Sequence, residues 1–427
     1  MHRFRRRARI FAAVPRGAVY RAGMEQVTID RLGHQGDGLV SGAQERFVPF
    51  TLPGEVVTLD ADGALASLHT PSPERVEPVC AHFGTCGGCA VQHASDRFVA
   101  AWKVNIVRRA LAARGIEMQA GGIATSPPGT RRRAVFGGRR SRKGGVTIGF
   151  HARATNTLID ITECPVTDPR ILAARPALEA LTGLGASRTA AIRLSVTLSA
   201  AGLDVAVDEA SPLDRKLEPK LAAIASEHGL ARLSWNGEIV VTPSQPVQRM
   251  GRAQVVPPPG AFLQATPHGQ AALTATVRQA VGRANRVVDL FAGCGTFTLP
   301  LSESAEVHAV ENDAPMLEAL QTAWRRVGGL SRVTVEARDL FRRPLLPLEL
   351  KGFEAAVIDP PRAGAAAQVA QLASSDVPVI AFVSCNPVTF ARDAQVLVEA
   401  GFQMGPVRVV DQFRWSPHVE LATTFTR

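Results

Sequence analysis

The sequence has no apolar run long enough to cross a bilayer as a helix, which takes about 18 residues or more, so no membrane partner is expected. It also lacks the apolar segment of a secretory signal, although its first 21 residues hold seven arginines (Arg3, Arg5, Arg6, Arg7, Arg9, Arg16 and Arg21) and no acid. A cytoplasmic, reducing setting is therefore expected. Charged residues are scarce, at 20% against 46% hydrophobic, which excludes a mostly disordered chain and allows real cores. No internal repeat is present. The length of 427 residues points to two or three domains. Subtracting the seven arginine charges from the net +10 leaves +3, so charge alone argues only weakly for a polyanion partner. Residues 1–23 read as a disordered basic extension, either an RNA-binding or targeting tail or a segment upstream of a start at Met24.

Six cysteines are present: Cys80, Cys86, Cys89, Cys164, Cys294 and Cys385. The Cys86-Gly-Gly-Cys89 spacing is of the metal or redox type rather than that of a disulfide scaffold. No Cys-x3-Cys-x2-Cys radical motif occurs.

Residues 24–72 read as short strands divided by glycine-rich turns, a small β-barrel pattern. Residues 73–256 hold the cysteine segment, a helix over 96–114 and a mixed stretch with helices over 168–181 and 212–228. Its Arg131-Arg132-Arg133 and Arg139-Arg140…Arg142-Lys143 groups are either RNA contacts or a solvated hairpin. After Pro257-Pro258-Pro259-Gly260, residues 257–427 alternate strands and helices in a doubly wound α/β pattern. The segments 402–413 and 419–426 are too close for a helical crossover and predict an antiparallel hairpin at the sheet edge.

The loop Asp289-Leu-Phe-Ala-Gly-Cys-Gly295-Thr296 follows a buried strand and lacks the G-x-G-x-x-G pyrophosphate pattern. A ligand poor in phosphate, such as S-adenosylmethionine, suits it better than NAD. Glu311, Asp339 and Asp359 end the next three strands, and acids at the carboxyl ends of parallel strands converge on the ligand crevice. Taken singly, each acid is equally a helix N-cap.

The motifs Cys80-x5-Cys86-Gly-Gly-Cys89 with Glu163-Cys164-Pro165, Ser384-Cys385-Asn386-Pro387 with Ala391-Arg392-Asp393, and His418-Val419-Glu420 together cover nearly the whole chain beyond residue 23. By them the chain resembles the bacterial 5-methyluridine RNA methyltransferases, in the branch that carries an iron–sulfur cluster and acts on 23S ribosomal RNA. The resemblance implies three parts: an N-terminal OB-like TRAM barrel, a central α+β cluster-binding domain, and a C-terminal Rossmann-like class I S-adenosylmethionine methyltransferase domain. It implies Cys385 as nucleophile and Glu420 as base. It implies Gln264, Phe291, Thr296, Glu311, Asp339 and Asp359 as S-adenosylmethionine contacts, and Cys80, Cys86, Cys89 and Cys164 as ligands of a [4Fe–4S] cluster. Spacing alone fits Zn²⁺ equally. Thr296 and Asp339 stand where well-known members carry asparagine. Cys294 is left over as packing.

The chemistry suits these residues. C5 of uracil is a poor nucleophile until a thiolate adds to C6. Cys385, at a strand end and before a helix, is expected to have a lowered pKa. Competing readings are methylation of transfer RNA, a non-catalytic RNA-binding assembly factor, and, from Asp359-Pro-Pro, an amino-group methyltransferase. RNA is the expected partner, and no obligate protein partner is evident.

Overall fold

The computed structural model describes residues 24–42, 44–141 and 145–427. The arginine-rich start and the Arg142-Lys143 pair lie outside them. The chain divides into two units, one ending at Lys103 but including Trp415–Pro417, the other comprising Val104–Arg414 and His418–Arg427.

In the first unit, six short strands between Glu25 and Thr70 form two antiparallel three-stranded sheets around Val27, Ile29, Val40, Val48, Val57 and Leu59. Loop hydrogen bonds link them, with Ile29 N donating to Glu55 O and Asp30 N to Leu39 O, 2.9 Å each. The carbonyl of Trp415 accepts from Ala90 N at 2.8 Å and Val91 N at 3.1 Å.

The second unit contains two large sheets. One has seven strands, in the spatial order Leu158–Asp160, Val146–His151, Arg133–Arg140, Ile192–Ser199, Gly202–Asp208, Leu230–Trp235 and Glu238–Val241. Its core includes Phe136, Leu178, Leu181, Val205, Leu221 and Trp235. The helix expected over 168–181 is two helices, Pro169–Ala173 and Arg175–Gly185, because Pro176 lacks the N–H needed to continue the first. The helix expected from 212 starts only at Glu218, because the Asp214 carboxylate accepts from Lys216 N and Leu217 N and holds a turn there.

The other sheet builds the site. Its strands are β1 (Ala120–Thr125), β2 (Arg286–Leu290), β3 (Glu306–Glu311), β4 (Val333–Ala337), β5 (Ala355–Ile358), β6 (Val379–Ser384), β7 (Val407–Asp411) and β8 (Glu420–Thr426). The spatial order is β4-β3-β2-β5-β6-β8-β7-β1, and the short strand Gln403–Met404 also pairs with β8. The first five are parallel, and β2, β5 and β6 are buried on both faces along most of their length, as the covered centre of a parallel sheet requires. Helices Pro267–Val281, Ala314–Arg326 and Pro387–Glu399 start on the caps Thr266, Asp313 and Asn386, each side chain accepting from a backbone N–H of the first turn.

The antiparallel pairing of β7 with β8 is as expected, but the hairpin is not at the edge. Strand β1 lies outside it, parallel to β7. Gly121 permits this approach, since a Cβ there would come within 3.1 Å of the Val407 carbonyl. The segment expected as one strand over 402–413 is interrupted at Gly405-Pro406.

Candidate active site

The ladder between β6 and β8 pairs Val383 with Ala422 and Ser384 with Leu421. The ladder ends there, with Cys385 the next residue after Ser384 and Glu420 the residue before Leu421, and the Glu420 charge is felt at Cys385. Glu420 pairs with Val410 of β7, and its side chain is buried. Cys385 is half-buried and not in a disulfide. Asn386, the next residue, caps the following helix by accepting from Val388 N at 3.1 Å. Its Nδ2 donates to Arg362 O at 2.9 Å. That bond ties the Ser384-Cys385-Asn386-Pro387 loop to the Asp359-Pro-Pro-Arg362 loop at the end of β5. The Arg362 guanidinium in turn meets His418 Nδ1 at 2.8 Å.

Three acids gather here. Burial pushes Glu420 up to about 8, with Asp359 adding to the rise; a hydrogen bond from Gln412 and the charge of Arg362 oppose it. Burial and then the Asp289 charge push Asp359 up to about 7. Asp289, fully buried, is also pushed to about 7 by desolvation; its Oδ2 accepts from Thr298 Oγ1 at 2.5 Å and its Oδ1 has no partner. Cys385 does not have the lowered pKa expected from its helix N-terminus. Burial, then Glu420, then Asp359 push it up to about 11, outweighing Arg362. Loss of water around a thiolate, plus two nearby carboxylates, outweighs the partial charge of a helix end. Cys385 therefore rests as a thiol.

Gln264 belongs to this cluster. Its Nε2 donates to Asp359 Oδ2 at 3.3 Å, and its Oε1 accepts from Gln412 Nε2 at 2.5 Å. Its carbonyl accepts from Arg132 Nε at 3.0 Å. The Arg131–Arg133 group is thus neither a solvated hairpin nor a free basic surface. Arg132 is buried and also reaches Gln270 Oε1 at 2.6 Å, Arg133 donates to Gly260 O at 3.2 Å, and Arg131 lies over the Phe413 ring. Arg139 and Arg140 are exposed.

The remaining expected ligand contacts line the ends of β2, β3 and β4. Phe291, just after β2, holds a left-handed φ of 62°, strained for a residue with a side chain. Its ring meets Phe341, centroids 5.5 Å apart. Gly295 has φ 91°, and a Cβ there would approach Leu320 to 2.9 Å, so only glycine keeps this turn close to the next helix. Glu311 accepts from Gly293 N at 3.0 Å and, through its other oxygen, from Asn312 N and Asp313 N. A carboxylate has about four acceptor sites, so it can brace the loop and still receive a ligand hydroxyl. Asp339 accepts from Phe341 N at 2.9 Å and Arg342 N at 3.3 Å, a turn-capping role. Thr296 is half-buried in the same loop. The arrangement fits a cationic, phosphate-poor ligand: a glycine-lined cradle, several acids and one unpartnered buried carboxylate oxygen. Cys294 is buried and pushed to about 12, as inert packing should be.

Cys80, Cys86 and Cys89 lie in the first unit and Cys164 in the second, all half-buried and free of disulfides. Among the described residues no group of three or more His, Cys, Asp or Glu is gathered to hold a metal ion. No step of the chemistry depends on a cluster. Among the described residues no helix is long and apolar enough to cross a membrane.

Of the further residues at the site, Asp289 lies in β2 and Arg362 in the loop after β5. Arg362 and Asp289 sit inside motifs that were recognised, whereas Gln412 carries no motif signal.

The profile of the tRNA (Uracil-5-)-methyltransferase family matches residues 260–427. An uncharacterized RNA methyltransferase of Rhizobium meliloti is 46% identical over 411 residues, covering 94% of this chain and 99% of that protein. The 23S rRNA (uracil(1939)-C(5))-methyltransferase of Halomonas elongata is 33% identical over 432 residues, covering 93% of this chain and 88% of that one. The solved Pyrococcus abyssi tRNA (uracil-54, C5)-methyltransferase, in complex with S-adenosyl-L-homocysteine, superposes with TM-score 0.74 at 22% identity over 94% of this chain and 99% of its own, a likeness of fold. With a class I methyltransferase fold and relatives of this similarity along its length, the chain belongs to the RNA (uracil-C5)-methyltransferases, enzymes that use S-adenosylmethionine.

Proposed function

We propose that this enzyme forms 5-methyluridine in 23S ribosomal RNA, with Cys385 as nucleophile and Glu420 as base. What supports the reading is that Cys385 and Glu420 flank the last pair of the ladder between β6 and β8, Ser384 with Leu421, with Glu420 buried and its charge felt at Cys385. S-adenosylmethionine supplies an electrophilic methyl group on a sulfonium. Cys385 sulfur bonds to uracil C6, and the C5–C6 electron pair shifts to make an enolate. C5 then attacks the methyl carbon, and S-adenosylhomocysteine leaves. Glu420 takes the C5 proton, the C5–C6 double bond re-forms, and Cys385 is expelled. A base with a pKa of about 8 is matched to such a transfer near neutral pH. The resting thiol must first lose its proton, and Asp359, whose charge also reaches Cys385, is the acceptor that leaves Glu420 ionised for the C5 proton.

Gln264, Phe291, Thr296, Glu311, Asp339 and Asp359 form the S-adenosylmethionine pocket in this reading. Positive charge on the sulfonium entering near Asp289, Asp359 and Glu420 draws all three toward their ionised forms, which supplies the base when the methyl donor is bound.

The choice of 23S ribosomal RNA rests on the Halomonas relative and on the N-terminal β unit, which we read as an OB-like TRAM module for RNA. The test is labelled methyl transfer to unmodified 23S ribosomal RNA and transfer RNA, followed by nucleoside analysis. We expect 5-methyluridine in the ribosomal RNA only; label in transfer RNA alone would keep the chemistry and overturn the substrate.

The [4Fe–4S] reading of Cys80, Cys86, Cys89 and Cys164 is supported by their spacing and by their freedom from disulfides. Anaerobically purified protein should carry about four irons per chain, as a four-thiolate cluster requires. Iron-free protein, or one zinc per chain, would remove it.

A further inference from the structure

We infer that Gln412 is a positioning residue for this reaction: its carboxamide joins Gln264 to Glu420 and fixes both side chains around the place where uracil C5 must lie. The inference rests on the proposed role of Glu420 as base. Gln412 is buried, just past the end of β7, on the loop that returns to β8 and Glu420. Its Nε2 donates to Gln264 Oε1 at 2.5 Å, and its Oε1 accepts from Thr266 N at 3.4 Å. A primary amide has two N–H groups, so Nε2 keeps one for the Glu420 carboxylate after serving Gln264. An N–H so placed accounts for the lowering influence of Gln412 on the Glu420 carboxyl.

Packing fixes the side chain. Gly269, in the first turn of the helix Pro267–Val281, lies against it, and a Cβ there would come within 2.8 Å of Gln412 Cβ and 2.9 Å of its Oε1. Thr266, the cap of that helix, is held in turn by Ser126 at 2.8 Å. Behind Gln264 stands Arg132, bonded to its carbonyl. Gln264 is therefore gripped at its backbone by Arg132 and at its side chain by Gln412, leaving its Nε2 directed at Asp359. Rotation of the Gln412 amide by half a turn would set an oxygen against both Gln264 Oε1 and Glu420, so the network tolerates one orientation only.

The charged groups around Glu420 are Asp359 after β5, Arg362 in the loop beyond it and Cys385 after β6, with Asp289 of β2 acting through Asp359. None of these is removed by changing Gln412, so a change in the Glu420 titration reports the amide itself. The experiment uses the full-length enzyme as Gln412→Met, which keeps an unbranched chain of similar size and removes both polar atoms, and as Gln412→Glu, which keeps the shape and adds a carboxylate. The acid limb of kcat/KM should move to higher pH by about one to two units in Gln412→Met, the size expected from losing one charge-assisted hydrogen bond. It should move further in Gln412→Glu, where like charges face each other. Activity below the limb should fall roughly tenfold or more and recover at high pH.

A ¹³C titration of the Glu420 carboxyl, assigned with Glu420→Gln, reads the same shift without turnover. An unmoved carboxyl titration in Gln412→Glu overturns the inference, even if Gln412→Met fails to fold or activity falls. A wild-type protein that makes no 5-methyluridine but shows the titration shift would overturn the functional reading and leave the positioning intact.

Discussion

The Cys385→Ala variant should fold, bind S-adenosylmethionine and RNA, and form no 5-methyluridine. We expect turnover to fall by roughly 10⁴-fold or more, the scale on which loss of a nucleophile acts in other covalent enzymes. The reason is chemical. Without addition at C6 there is no enolate, and an unactivated C5 does not displace a sulfonium methyl at a useful rate. The fold should survive, because Cys385 is half-buried at a strand end and its thiol is already disfavoured as an anion there. Loss of so small a side chain from such a position costs about 1 kcal/mol or less. Covalent trapping should vanish together with turnover: RNA carrying a 5-fluorouridine at the target should give a denaturant-resistant band with the wild type and none with the variant. Retained turnover would revive methylation of an exocyclic amine, which requires no thiol.

The same residues explain how much of the site was legible in sequence. The parallel strands could be read because they are continuous apolar runs ended by an acid or by the nucleophile loop, and the hairpin because its segments are too close for a helix. The edge strand Ala120–Thr125 could not. It carries two glycines and no aromatic residue, and its β structure comes from pairing with Val407–Asp411 rather than from its own preference. Arg132 was read as surface because arginine usually is, yet it is buried by contacts to Gln264 and Gln270 that are distant in sequence. Gln412 was invisible for the same reason: a lone glutamine acquires meaning only when folding brings Gln264 and Glu420 to it. The Cys385 pKa was misread because a helix N-terminus can be seen in sequence, whereas burial and the converging carboxylates cannot.

Glu420→Gln should separate the two halves of the reaction. Cys385 still adds and the methyl group still transfers, but the C5 proton has no acceptor and the thiol cannot leave. A denaturant-resistant protein–RNA adduct carrying one labelled methyl per chain should accumulate, with turnover lowered by roughly 10²- to 10⁴-fold, the usual worth of a general base. Stability supplies a second signature with a definite sign. The Glu420 carboxyl titrates near 4.3 in an unfolded chain and at about 8 in the folded one. Between those values the folded state binds more protons, so this group's contribution to stability is present below about pH 4 and is lost as pH rises toward 8. Glutamine mimics the protonated form and does not titrate. The variant's Tm should therefore equal or exceed that of the wild type, with the gap widening from pH 5 to pH 8 as the wild-type carboxyl ionises beside Asp359. If the variant instead turns over freely and no adduct builds up, Glu420 is not the base. The role then passes to Asp359, the other raised carboxyl beside Cys385, and the trapping experiment repeated on Asp359→Asn decides it.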